Sequence, residues 1–146
     1  MRFASCLLAM LIATTVRAND PAEKWEETIQ KFEQADQQSA PAAGGVLFVG
    51  SSSIRMWKTD EWFPDEGVLN RGFGGSQISD VNHFADRIVL NYAPKVIAFY
   101  AGDNDVNKGK SAEQVFADFK AFLGLVGERL PETHVLYLPI KPSLSR

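Results

Sequence analysis

The sequence is poor in the residues on which several kinds of chemistry depend. It has one cysteine and two histidines in 146 residues. With a single Cys6 there can be no disulfide framework within the chain. The formal charge is -3, and lysine and arginine form no stripe. That balance excludes a nucleic-acid binder, which needs a concentrated basic face. Beyond residue 18 no apolar run is long enough to cross a bilayer. A deficit of apolar residues, the mark of disorder, is also missing: 45% are hydrophobic and 23% charged, as in soluble globular domains.

The first eighteen residues differ from the rest. Met1-Arg2 gives a positive start, Phe3 to Val16 is apolar apart from small residues, and Val16-Arg17-Ala18 offers a cleavage site. This pattern predicts a secretory signal peptide over 1–18, with one domain over 19–146. The expected location is secreted or periplasmic. Cleavage removes Cys6 together with Arg2 and Arg17, so the mature chain has no cysteine and its charge moves from -3 to -5. It is expected to have no membrane span once the signal is removed.

Asn19 to Gln38 reads as a helix, with Asp20 as cap, Pro21 at the first position and Trp25, Ile29 and Phe32 along one stripe. Four short apolar runs read as strands: Val46 to Val49, Val68 to Arg71, Lys95 to Tyr100 and His134 to Leu138. Helical spacing recurs between them. Ile54 to Trp57 is a short helix, and Ile78 to Leu90 presents Val81, Phe84, Ala85 and Ile88 on one face. Another helix starts at Ser111, with Gln114 completing a capping box. It carries Val115, Phe116, Phe119, Phe122, Leu123, Val126 and Leu130 at period 3.6. Ala101 to Gly109 reads as a polar loop. Strands alternating with helices predict an α/β domain with a parallel sheet and helices on both faces.

Ligands of such sheets bind beyond the carboxyl ends of the strands, and three of those loops carry useful chemistry. Gly50-Ser51-Ser52-Ser53 turns out of the first strand into a helix start, where backbone N–H groups lack intrahelical partners and favour negative charge. The plain alternative is that these serines only cap the helix. Asn70-Arg71-Gly72-Phe73-Gly74-Gly75-Ser76 lets backbone approach a ligand, or serves only as a glycine turn. It is no dinucleotide fingerprint, because Gln77 stands where the third glycine belongs. Gly102-Asp103-Asn104-Asp105 offers an amide donor or an Asx turn. Its two carboxyl groups, without a histidine nearby, make a weak metal site. Trp57, Trp62 and Phe63 read as packing residues first and as a cleft lining second.

In order, and each after a strand, the three loops resemble the blocks of the SGNH/GDSL hydrolase family. Val46-Leu47-Phe48-Val49-Gly50-Ser51-Ser52 is similar to its Gly-Asp-Ser block, Asn70 to Gly75 to its second block, and Gly102-Asp103-Asn104-Asp105 to its Gly-x-Asn-Asp block. The resemblance covers about residues 44 to 141. It implies a three-layer, flavodoxin-like fold and hydrolysis of carboxylic esters without metal or cofactor. Ser52 is then the nucleophile, and the backbone N–H groups of Ser52 and Gly75, with the Asn104 side chain, form the oxyanion hole. A small-molecule or carbohydrate ester is the implied substrate, with acetylated carbohydrates favoured.

The sequence departs from the family pattern twice. Ser51 stands where the first block has aspartate. No Asp-x-x-His block, the family's source of base and orienting acid, follows the third block. His83 reads as a surface residue of a helix, and His134 opens a strand at the end away from the site. The fold implied by the resemblance needs a further strand and helix after Arg146. The chain is therefore expected to be a fragment or a truncated product, missing the C-terminal part and having little activity by itself. Two rivals follow: a non-catalytic glycan-binding module on the same fold, and a flavodoxin-like phosphate binder. The second lacks the lysine of a P-loop.

Overall fold

The computed structural model describes residues 22–142. The leader expected over 1–18, and the helix start at Asp20 and Pro21, lie outside the described residues. Four strands form one parallel sheet: β1 (Val46–Gly50), β2 (Leu69–Gly72), β3 (Val96–Tyr100) and β4 (His134–Tyr137), in the order β2-β1-β3-β4. This is the flavodoxin-like order, and it reverses direction at β1 and β3.

The helices are α1 (Glu26–Gln38), α2 (Ser52–Arg55), α3 (Thr59–Trp62), α4 (Ile78–Ile88), α5 (Asp103–Asn107) and α6 (Ala112–Arg129). Single 3-10 turns precede α1 at Glu23–Trp25 and follow α4 at Leu90–Tyr92. The first helix therefore enters the described chain as a 3-10 turn and becomes α-helical at Glu26. Ala22, at the cap of that turn, makes no side-chain capping bond. The Ser111–Gln114 capping box forms as expected, each side chain bonded to the other residue's backbone N–H.

Side chains alternate across a strand, and the two central strands divide their residues between two cores accordingly. Leu47, Val49, Ile97 and Phe99 face the core built with α1, α4 and α6. Phe48, Ala98 and Tyr100 face a smaller core with Ile54 of α2. On α4 the buried residues Ile78, Val81, Phe84, Ala85 and Ile88 make one stripe, as their spacing requires. On α6 the stripe is narrower than expected. Val115, Phe122 and Val126 are buried, but Phe116 is 66% exposed and Leu123 40%. Trp57 and Phe63 pack on Phe48, with ring centroids 5.1 and 5.7 Å away. Trp62 is 71% exposed.

Two polar clusters fasten α1 to this frame. Arg71 of β2 is buried and pairs with Asp36; its Nε donates to Tyr92 Oη at 2.8 Å. The Tyr92 hydroxyl in turn donates to Asp36. Arg87 of α4 reaches Glu26 and Glu33 of α1, each at 2.7 Å.

Candidate active site

Strand ends bring the three loops together. Gly50 and Tyr100 are paired as the last residues of β1 and β3, and Gly50 is also paired with Gly72 at the end of β2. A side chain at Gly50 is impossible. Its φ is +141°, and a Cβ would lie 1.9 Å from the Tyr100 carbonyl oxygen. At Gly72 a Cβ would lie 2.3 Å from the Arg55 nitrogen, so α2 sits directly against β2. These glycines are sites where one protein segment closely approaches another.

Hydrogen bonds then tie loop to loop. The Gly50 carbonyl accepts the Phe73 N–H at 3.0 Å, and the Ser51 N–H donates to the Tyr100 carbonyl at 2.9 Å. Asn104 Nδ2 donates to the Ser76 carbonyl at 2.9 Å. Ser51 Oγ donates to Asp103 Oδ1 at 3.4 Å. Asn70 fixes α2 from the second loop: its Nδ2 donates to the carbonyls of Ile54 and Trp57, at 2.7 and 3.0 Å, and its Oδ1 accepts the Gly72 N–H at 2.9 Å. The first, second and third loops thus form one bonded rim at the switch point of the sheet.

The three serines of the first loop are distinguished by their surroundings. Ser51 is fully buried and occupies the N-cap of α2, yet its hydroxyl makes no capping bond. Ser52 and Ser53 are half-buried, and Ser52 opens the helix. The first intrahelical bond runs from the Arg55 N–H to the Ser51 carbonyl at 3.1 Å. The N–H groups of Ser52, Ser53 and Ile54 precede it and have no partner within the helix. A half-buried hydroxyl beside such N–H groups can attack a carbonyl and have the resulting oxyanion stabilised.

Gly75 is half-buried with φ +79°, a left-handed conformation. A Cβ there would lie 3.4 Å from Cη2 of Trp25, so the turn before α1 walls the second loop. Trp25 also packs edge-on against Phe73, with ring centroids 5.6 Å apart. The sequence marked Trp25 only as part of a helical stripe, because nothing local links it to a glycine fifty residues on.

Asn104 is 8% exposed and belongs to α5, a helix where the sequence predicted a polar loop. Asp103 opens that helix. Asp105 is fully buried, and its carboxyl group accepts the Ile78 N–H at 3.2 Å and Lys110 Nζ at 2.9 Å. Lys110 also binds Asp118 at 2.6 Å; burial opposes its charge, but Asp105 and Asp118 together raise its pKa. The two carboxyl groups weighed as metal ligands are therefore held by protein donors. Among the described residues no group of three metal-ligating side chains occurs.

The histidines lie away from the rim. His134 is exposed and pairs with Val96 at the amino end of the sheet. His83 is exposed on α4, its ring 4.6 Å from Phe84. The expectation that neither histidine follows an aspartate at a distance of three is corrected at His83. Asp80-Val81-Asn82-His83 has Asp-x-x-His spacing, but it lies between the second and third blocks. Asp80 is committed to capping α4, its Oδ2 accepting the Gln77 N–H at 2.8 Å. A cavity of about 460 Å³ also lies elsewhere, between the end of α1 and the starts of β1 and β2. Ser52, Gly75 and Asn104 do not line it.

No protein-family model matches the chain. It is 29% identical over 126 residues to platelet-activating factor acetylhydrolase IB subunit alpha1 of Bos taurus, covering 82% of this chain and 51% of that protein. The chain spans about half the length of the curated relatives it matches. Its fold superposes on a Streptococcus pneumonia protein described as a platelet activating factor candidate. The TM-score is 0.72 at 23% identity, over 83% of this chain and 57% of that one. A GDSL-like lipase from Bacteroides thetaiotaomicron gives a TM-score of 0.64 at 19% identity, over 75% and 56%. At these identities the solved structures speak for the fold, and the sequence relatives speak for descent. Fold, relatives and the three ordered blocks agree in making this chain similar to proteins of the SGNH/GDSL hydrolase superfamily.

Proposed function

We propose that this chain carries the nucleophile and oxyanion hole of an exported serine ester hydrolase acting on small acyl esters, acetylated carbohydrates among them. The observation that carries the reading is the bonded rim. A half-buried serine at a helix start, a left-handed glycine and a fixed asparagine amide come from three loops that bond to one another. The acetylhydrolase name of the bovine relative supports a short acyl group. The apolar run from Phe3 to Val16 supports export.

In this reading Ser52 Oγ attacks the ester carbonyl carbon and gives its proton to the histidine of an Asp-x-x-His block, which neither His83 nor His134 supplies. The Ser52 and Gly75 N–H groups and Asn104 Nδ2 hold the oxyanion. The bond to the alcohol oxygen breaks, and the alcohol leaves with that proton. Water then attacks the acyl carbon and frees the acid, restoring Ser52.

An alkyl fluorophosphonate tests the nucleophile. The full-length protein, with its Asp-x-x-His block, is expected to take the label on Ser52, and Ser52→Ala to abolish labelling while Ser53→Ala retains it. Labelling that survives Ser52→Ala overturns the assignment. Export is checked by the N-terminal residue of the exported protein, expected to be Asn19.

A further inference from the structure

Ser51 is a cap residue that does not cap. Serine at an N-cap normally accepts an N–H of the first turn through its hydroxyl. Here Ser51 Oγ instead donates to Asp103 Oδ1 at 3.4 Å, across 52 positions of sequence. The same Oδ1 accepts the Asn104 backbone N–H at 3.0 Å. Both partners are inside the protein: Ser51 is 0% and Asp103 3% exposed. One carboxyl oxygen therefore joins the residue before the proposed nucleophile to the backbone of the proposed oxyanion asparagine. Ser51 also stands where the family's first block has aspartate, while Asp103 fills the unspecified position of the third block.

We propose that acid and hydroxyl have exchanged places between the two loops. Asp103 supplies from the third loop the carboxyl group missing at Ser51, and the Ser51–Asp103 pair is a positioning device that holds the Ser52 and Asn104 loops in register. Ser51 and Asp103 are positioning residues in this scheme, since neither touches the reacting atoms. The inference rests on the hydrolase reading for its purpose, although the pairing can be tested without it.

The chemistry accounts for the exchange. A buried carboxyl group must be met by donors, and the serine hydroxyl is one. A second carboxyl group at position 51 would face the first across the same gap, and two acids in one buried site oppose each other's ionisation. A hydroxyl on each side would remove the strong acceptor that draws both loops together. Only one acid and one hydroxyl complete the pair, in either order. Catalytic groups need placement within about half an ångström, so such a link has work to do beyond stability.

The test is an exchange on the whole chain: Ser51→Asp, Asp103→Ser, and both together, followed by thermal unfolding and by the amide NMR resonances of Ser52 and Asn104. Each single change is expected to lower the melting midpoint and displace both sets of resonances. The exchanged protein is expected to recover more than half of the combined loss in midpoint and to return those resonances toward their original positions. Losses that simply add overturn the proposal. Recovery of the midpoint with the resonances still displaced also overturns it, because the pair would then be packing without positioning. If Ser51→Asp does not fold, Ser51→Ala and Asp103→Asn form a second cycle, in which additive losses again refute the coupling. In the full-length protein, with its Asp-x-x-His block, the rate of fluorophosphonate labelling is expected to fall by up to about a hundredfold in each single variant, the scale of a misplaced reacting group, and to return in the exchange. A full-length parent that takes no label counts against the hydrolase reading and leaves the midpoint and resonance results to decide the pairing.

Discussion

Asn104 and Gly50 show what single residues contribute to the rim. The bond from Asn104 Nδ2 to the Ser76 carbonyl, 2.9 Å long, sets the orientation of the amide against the second loop. Removing a preorganised oxyanion donor costs about 3 to 4 kcal/mol of transition-state stabilisation. On the proposed reading, Asn104→Ala in the full-length protein, with its Asp-x-x-His block, is expected to lower kcat on p-nitrophenyl acetate by about 10²- to 10³-fold, with a much smaller change in KM, measured by steady-state kinetics. Gly50→Ala acts on the fold instead. With φ at +141° and the Tyr100 oxygen 1.9 Å from the added carbon, the strand ends must separate. A loss of about 3 kcal/mol or more is expected from overpacking and backbone strain together, read from the urea midpoint. Ser52, Gly75 and Asn104 were nominated from the sequence because each belongs to a short local pattern. Asp103 as the partner of Ser51, and Trp25 beside Gly75, were not, since each contact depends on how distant loops meet.

Among the elements, α1 owes its place to arginines from the sheet and from α4. Arg87 binds Glu26 and Glu33 at 2.7 Å each, and its hydrogen bonds hold both carboxyl groups below their ordinary value of 4.5. Carboxyl groups with lowered folded values stabilise the protein above that ordinary value, and the contribution is lost as pH falls through the lowered ones. Both glutamates are 38% exposed, so solvent weakens the effect. Arg87→Met is expected to lower the melting midpoint at pH 7 and to differ progressively less from the parent protein below about pH 4.5. A constant difference across that range would refute the linkage. The main error at this scale was α5. Gly102-Asp103-Asn104-Asp105 has the composition of a turn. It is helical with its buried carboxyl groups, at its first and third residues, met by donors from outside the helix: Asp103 meets Ser51 and Asp105 meets Ile78 and Lys110. The exposed Phe116 on α6 has a related cause, since a periodic pattern shows which residues are apolar but not how wide a stripe the neighbouring elements cover.

At the scale of the molecule, the order β2-β1-β3-β4 places β1 and β3 between neighbours on both sides, while among the described residues β2 and β4 are each paired on one side. Backbone protection should follow that order. In hydrogen exchange, the amides of Val49 and Phe99 are expected to be among the slowest, and those of β4 to exchange sooner. Faster exchange in β1 than in β4 would contradict the pairing. The same order fixes the site, because adjacent loops diverge where the sheet reverses direction, opening a crevice at the carboxyl ends of β1 and β3. No helix among the described residues is long and apolar enough to cross a membrane.

By itself the sequence determined the alternation of strands and helices, the parallel sheet, and the three loops with the serine, glycine and asparagine they carry. Those features rest on periodicity, turn chemistry and short motifs, all of which act over a few residues. Only the tertiary structure decided which serine is buried, which acid meets it, that the third loop is helical, and that the Asp-x-x-His spacing at Asp80–His83 caps a helix. These depend on groups tens of residues apart competing for the same few donors and acceptors in a space without water, and no local pattern records the outcome of that competition.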